Sequence, residues 1–369
     1  MNAKFILFTS TTGLILIILL AMGCADVGYY QQAVSGQWQL LSLRRPLAAV
    51  RDDPATPVAL RERLVLAETI REFAVRELRL PDNGSYQSYV DLARPYVVRN
   101  VFAAPPLSLE PKTWCFPVAG CVGYRGYFDE AGAERTAAEL RTAGYDVFIG
   151  NVPAYSTLGW FSDPLLNTFI DWHPGRLAEL LFHELAHQRL YVPGDTAFNE
   201  SFATFVGRLG ARRFLIRYAS DEDRDYYERL ARVRQQFYEV VAPTKAALAA
   251  LYVSDLSSAA KREEKARLLA ELVARYEALK AGEWEGFNGF DRWFYQDLNN
   301  AKLASLRAYT HWVPAFRRLY EDHGEDLERF YIAVEALANL EPVARIAALE
   351  RQLTLASAQT GEADEPEAG

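Results

Sequence analysis

Histidine is scarce in this chain, with five among 369 residues, and cysteine is scarcer, with three. So few cysteines speak against the closed, cysteine-rich coordination that structural zinc sites use. Basic runs are missing as well. The formal charge is −8 and lysines and arginines alternate with acids throughout. That excludes nucleic acid as a partner, which needs a basic stripe, and excludes attachment to a membrane surface by charge alone. No internal repeat is visible. What the chain does have is apolar material: half of its residues are hydrophobic and 13% are aromatic. Its length exceeds the usual single core, so one large domain or a domain with an appendage is expected.

The N-terminus carries the longest apolar run. Residues 1–24 begin Met-Asn-Ala-Lys, continue apolar from Phe5 to Met22, strongest over Leu14–Leu20, and end Gly23-Cys24. One early lysine, an apolar stretch and small residues before a cleavage point make 1–23 a secretory signal peptide. Leu20-Ala21-Met22-Gly23-Cys24 resembles the lipobox of bacterial lipoproteins, with Ala21 where leucine is more usual. The resemblance implies cleavage before Cys24 and a diacylglycerol on its sulfur, so that the lipid does the anchoring. An uncleaved signal anchor and an ordinary cleaved signal peptide are the alternatives. Ala25, with no aspartate at that position, implies the outer membrane facing the periplasm. In that oxidising compartment Cys115 and Cys121, which flank Pro117 and Gly120, can close a tight loop as a disulfide. Two reduced structural cysteines are the alternative.

The rest of the chain predicts an α+β fold, predominantly helical. Leu60, Leu64, Ile70, Phe73 and Leu78 recur at helical spacing within a stretch, 29–80, that reads as helix, ended by Pro81-Asp82-Asn83-Gly84. Residues 96–102, 122–128 and 145–149 are rich in β-branched and aromatic side chains, with a helix expected over 129–143, which gives a small sheet with a crossover helix. Helices are expected at 174–191, opened by Pro174, and at 196–218. Residues 221–280 read as a long helical hairpin inserted in a domain spanning 24–355, and such an arm either binds a partner or packs on the body. Further helix is expected over 296–321 and 324–355. The acidic end from Ala356 to Gly369 is expected to be disordered.

Chemistry concentrates in His183-Glu184-Leu185-Ala186-His187. Two histidines four apart on a helix project from one face, so both imidazoles can reach one metal. Glu184 flanks that face, placed to take a proton from water at the metal rather than to ligate it. A catalytic site needs a third protein ligand and an open position. The first helix runs about one turn past His187, Tyr191-Val-Pro-Gly-Asp195 reverses the chain, and Glu200 lies about one turn into the next helix. One turn out and one turn back, at about 5.4 Å each, return the chain to the level of His187. Glu200 is therefore the third ligand if it faces the first helix. Ala203, Gly207 and Gly210, small residues on roughly the same side, would let the two helices approach closely. The donor set His183, His187 and Glu200 leans to one Zn2+ per chain.

His183-Glu-Leu-Ala-His187 with Asn199-Glu200-Ser-Phe-Ala203 resembles the glutamate-zincins, the thermolysin-like clan in which a second helix supplies Asn-Glu. The twelve residues between His187 and Glu200 make a shorter gap than thermolysin's, and the chain is more similar to a bacterial lipoprotein family of predicted aminopeptidases. The similarity extends over Tyr29-Tyr30-Gln31-Gln32, Gly36-Gln37, Cys121–Phe128, Asn299-Asn300-Ala301 and Tyr309.

The resemblance implies zinc on His183, His187 and Glu200, with Glu184 as general base and then proton donor to the leaving nitrogen. A donor for the tetrahedral oxyanion is also needed. Tyr309 and His311 are the candidates, with Arg125 and Tyr155 behind them. Segments 122–128 and 146–157 either offer an edge strand to an extended peptide or form an interior pair. An aminopeptidase further needs an acid for the substrate amine, and Glu130, Asp146, Asp163 and Asp171 are not distinguished. The expected protein is a zinc-dependent peptidase of the bacterial envelope, an aminopeptidase acting on peptide or protein substrates. An envelope quality-control endopeptidase and a non-catalytic lipoprotein binding or assembly module are the alternatives.

Overall fold

Prolines and capping side chains decide where most helices begin, and the helices carry most of the chain. A computed structural model describes residues 24–362, apart from 117–119, 155, 158, 160 and 307–310. The expectations attached to residues 1–23, Tyr155, Tyr309 and 363–369, and to the Cys24 sulfur, lie outside what is described. The fold is α+β and predominantly helical. Among the described residues, no helix is long and apolar enough to cross a membrane.

The N-terminal stretch is not one continuous run of helix. Helix α1 (Cys24–Ser42) ends before a short strand β1 (Arg45–Pro46), followed by α2 (Leu47–Arg51) and α3 (Val58–Arg76). Pro54 and Pro57 account for the break between the last two, because proline lacks the amide that a helix interior needs. Strand β2 (Ser88–Val90) pairs with β1 on one side and with β8 (Leu165–Leu166) on the other.

A second sheet holds β3 (Val98–Ala104) between β6 (Arg125–Tyr127) and β7 (Asp146–Val152), both antiparallel to it. The register pairs Val98 with Val152 and Ala104 with Asp146. Helix α4 (Glu130–Thr142), capped by Asp129, crosses between β6 and β7 and buries Ala133 and Ala137 against Val101, Ala103 and Val147. Both β6 and β7 are thus edges of this sheet among the described residues, and the interior strand is β3. The hairpin β4 (Trp114–Phe116) and β5 (Gly120–Val122) places Cys115 opposite Cys121, and the two are joined by a disulfide.

The main core forms where α5 (Pro174–Arg189) and α6 (Thr196–Tyr218) pack antiparallel. Leu177, Leu181 and Phe182 of α5 meet Phe198, Phe202 and Phe214 of α6, with α3 on one side. On the other side are α11 (Val313–Asp322), α12 (Leu327–Ala338) and α13 (Pro342–Glu362), which supply Phe316, Phe330 and Leu349. Helix α13 continues to Glu362, into the stretch read from sequence as a disordered tail.

Helices α7 (Asp221–Val253) and α8 (Ser258–Ala281) pair as a hairpin. Its core joins Phe237, Leu248 and Leu272 to Trp284, Phe294 and Leu303 from the chain that follows. That chain is not the single helix expected over 296–321. It forms α9 (Asp291–Tyr295) and α10 (Asn300–Ala304), and α11 starts anew with Pro314 in its first turn.

Candidate metal centre

Pro174 opens α5, and the His173 ring accepts from the Gly175 amide, so the helix starts where its first N–H groups have other partners. Nine residues on, His183 and then His187 point from one face. Helix α5 ends at Arg189, and the chain reverses through Gly194, at φ 83°, a left-handed conformation that glycine adopts without strain. Asp195 caps α6, accepting from the Phe198 amide at 3.0 Å, and its other oxygen accepts from buried Arg345 at 2.9 Å.

Asn199 locks this reversal. Its side-chain amide donates to the Val192 carbonyl at 2.7 Å, and its oxygen accepts from the Val192 amide at 2.8 Å. The residue is 1% exposed; the Val192 amide depends on it, and the Val192 carbonyl is shared with the Asp195 amide at 3.2 Å. With the loop fixed, Glu200 comes back across α5.

The three side chains meet. His183 Nε2 lies 3.1 Å from His187 Nε2 and 3.3 Å from Glu200 Oε2, and His187 Nε2 lies 3.7 Å from Glu200 Oε1. All three prospective ligand atoms fall within 4.8 Å of one another. Two imidazole nitrogens facing each other at this range cannot both present bare lone pairs; a cation or a proton must sit between them. The donor set, two neutral imidazoles and a carboxylate, fits a metal ion.

The electrostatics agree. Burial opposes ionisation of Glu200, but hydrogen bonds from His183 and His187, and their charge, bring its carboxyl down to about 2. Burial likewise opposes protonation of His183, yet the bond to Glu200 and the charges of Glu184 and Glu200 hold the imidazole above its ordinary value. The pocket therefore favours positive charge between its ligands.

The charge of Glu184 acts on His183 and reaches a second neighbourhood as well. Its charge is felt by Tyr86 and Asp163, both almost fully buried. Burial, together with that charge, pushes Asp163 up to about 6 against hydrogen bonds from the Thr157 amide and hydroxyl. The Tyr86 phenol is raised for the same two reasons. Tyr86 also adopts φ 62° and donates its amide to the Asp163 carbonyl at 2.6 Å. Gln188, next to His187, accepts from Asn83 at 2.6 Å, which ties this loop to the end of α5.

Of the other sequence candidates, Arg125 lies over the Tyr29 ring at 4.1 Å, in the β6 region, and His311 is exposed against Trp312. Trp312 donates its amide to Ser201 Oγ, adjoining Glu200. Among the acids, Glu130 is held by Arg99 and Asp146 by Lys265, and Tyr89 feels Asp171; Asp163 is the one coupled to Glu184. Sequence reasoning missed Tyr191, whose ring centroid is 6.4 Å from that of His187 and whose phenol is raised by burial and by Glu200. It also missed Glu179. Each stands four residues from one of the two histidines, and the helical repeat that found the histidines finds these too.

Comparisons with curated proteins and with solved structures found no match. A family model described as Putative aminopeptidase matches residues 28–349, so the chain belongs to that family.

Proposed function

We propose that the protein is a zinc-dependent peptidase, an aminopeptidase acting on peptides in the periplasm. The observation that carries this reading is the convergence of His183, His187 and Glu200 within 4.8 Å, with Glu184 beside them on the same helix. Two imidazoles and one carboxylate form a zinc-leaning set that leaves a coordination position open. Zinc held by His183, His187 and Glu200 would supply Lewis acidity there.

The protein's own groups do the rest. Glu184 takes the proton of the attacking water and passes it to the leaving nitrogen. Tyr309 is our choice of donor to the oxyanion, with the Tyr191 hydroxyl as a second. Beyond Val147, whose carbonyl already accepts from Asn299, the β7 edge would offer main-chain hydrogen bonds to an extended substrate. A lipid on Cys24 would keep the domain at the outer membrane, as the Leu20–Cys24 pattern suggests; Cys24→Ala should then release it to the soluble fraction.

The test combines metal analysis with turnover. Wild type should hold one zinc that His183→Ala loses, whereas Glu184→Ala should keep zinc and lose cleavage. Free-amine and N-acetylated peptides are then compared. Equal cleavage of both would replace aminopeptidase with endopeptidase, and unchanged activity in Glu184→Ala would end the catalytic reading.

A further inference from the structure

Glu179 stands one turn before His183 on α5 and is ringed by arginines. Arg234 of α7 binds it through two nitrogens at 2.9 and 3.2 Å, the Tyr227 hydroxyl donates at 2.9 Å, and Arg208 of α6 stands 3.6 Å away. Arg176, also on α5, lies over the Trp172 ring at 4.5 Å. Burial and the like charge of Arg234 push the Arg176 guanidinium down. The neighbouring pair Arg212–Glu228 satisfies itself, with bonds of 2.7 and 3.0 Å. One carboxylate thus faces two guanidinium groups, with Arg176 one turn before it on α5, in a place where Glu179 keeps only 14% of its side chain exposed. Uncompensated charge of this kind is expensive to bury and is relieved by an anion.

The surplus sits beside the metal centre. Residues four apart on a helix have β-carbons about 5–6 Å apart, so Glu179 adjoins His183. A β-carbon at Gly207 would lie 2.8 Å from the Glu179 carbonyl and 3.2 Å from His183 Cβ, and Arg208 is the next residue. Tyr238 of α7 feels Arg208, Arg234 and Glu179 together, so the hairpin borders this cluster. Arg208 keeps 29% of its side chain exposed and meets Glu179 only at long range. Among the described residues its N–H groups have no closer partner.

We propose that Arg208, backed by Arg234 and Arg176, binds a carboxylate of the substrate within one residue of the scissile bond. This rests on the peptidase reading. Two sources share the chemistry: the free C-terminus of a dipeptide and an acidic side chain. A planar guanidinium pairs with either through parallel N–H bonds. The arrangement gives the α7–α8 hairpin a part in selecting substrate, since Arg234 and Tyr238 come from it.

The zinc-loaded protein is assayed with four probes: Ala-Ala, Ala-Ala-amide, Ala-Glu-amide and Glu-Ala-amide. At least one carboxylate probe should exceed Ala-Ala-amide in kcat/KM by about ten-fold or more, chiefly through KM. Which one does so identifies the source. Arg208→Gln should abolish that advantage and leave Ala-Ala-amide within about two-fold, and Arg208→Lys should restore part of it. Equal rates for all four probes, or equal slowing of all four in Arg208→Gln, would overturn the proposal. If wild type cleaves none of them, the peptidase reading fails. Calorimetric titration of the same probes then decides the anion site: tighter binding of a carboxylate probe that Arg208→Gln removes upholds it, and uniform binding refutes it.

Discussion

Gly207 of α6 leaves open the space beside His183 of α5, where an added β-carbon would stand 3.2 Å from His183 Cβ and 2.8 Å from the Glu179 carbonyl oxygen. This glycine sets the distance between the helix bearing the two imidazoles and the helix bearing Glu200. Alanine there would gain about 1 kcal/mol of helix propensity. It would also overlap a backbone carbonyl that has little freedom to move, at a cost of about 1–3 kcal/mol. The overlap should win. Gly207→Ala is expected to be less stable by about 1 kcal/mol in denaturant titration, with zinc affinity down by about ten-fold as Glu200 is pushed away. A variant more stable than wild type with unchanged zinc binding would show that the helices slide apart freely.

Asn199 carries the turn that brings Glu200 back. Its two hydrogen bonds to Val192 use one donor and one acceptor. Asn199→Ala leaves the Val192 amide without a partner, at about 1–3 kcal/mol, while the Val192 carbonyl keeps the Asp195 amide at 3.2 Å. Asn199→Asp should weaken zinc binding more than size suggests, because a carboxylate oxygen would then face the Val192 carbonyl. Competition titration with a chelator measures this. Equal zinc affinity in Asn199→Asp and wild type would mean that the loop does not position Glu200.

The cluster of His183, His187 and Glu200 was legible because it needs only local rules: two histidines at helical spacing, a proline start at Pro174, and a short reversal capped by Asp195. The sheet followed from the β-branched runs at β3, β6 and β7. Other parts depend on tertiary packing that no local pattern shows. The expected helix over 296–321 breaks because Asn299 caps α10, accepting from the Lys302 amide at 3.1 Å, and because Pro314, with no amide to donate, sits in the first turn of a new helix. Lys302, 2% exposed, reads as a surface charge in sequence, yet it donates to the Gln296 carbonyl and lies 4.9 Å from the Phe148 ring centre. Asp163 could not be singled out from three other acids, because its approach to Glu184 is made by a loop held through Ser85, Tyr86 and Gln188.

Zinc binding should strengthen as pH rises through the neutral range. In the metal-free site His183 is held above its ordinary value, so it keeps a proton that zinc must displace. The proton stabilises the metal-free fold at low pH, and that contribution is lost as pH rises through the raised value. Glu200, at about 2, stays ionised throughout and adds no dependence in this range. The zinc-induced rise in Tm is therefore expected to grow between about pH 5 and pH 8. A Tm increment constant over that range would show that His183 binds no competing proton.

Asp163 should impose the opposite trend on one part of the stability profile. Its carboxyl stands at about 6 in the fold, against about 3.9 for an aspartate in the open chain. Between those two pH values the native state holds a proton that the unfolded chain has already released, so stability falls as pH rises across the window. A shift of that size amounts to about 2–3 kcal/mol at neutral pH. Asp163→Asn removes the charge and keeps an oxygen for the Thr157 amide, now at 3.0 Å, while the Thr157 hydroxyl, which donates to Asp163 in the wild type, can turn to the Phe161 carbonyl, also 3.0 Å away. The variant should match wild type near pH 4 and exceed it by up to about 2–3 kcal/mol at pH 7, read by denaturant unfolding at each pH. Parallel profiles from pH 4 to pH 7 would mean that Asp163 ionises in the fold as readily as in the open chain, and that its burial beside Glu184 carries no electrostatic cost.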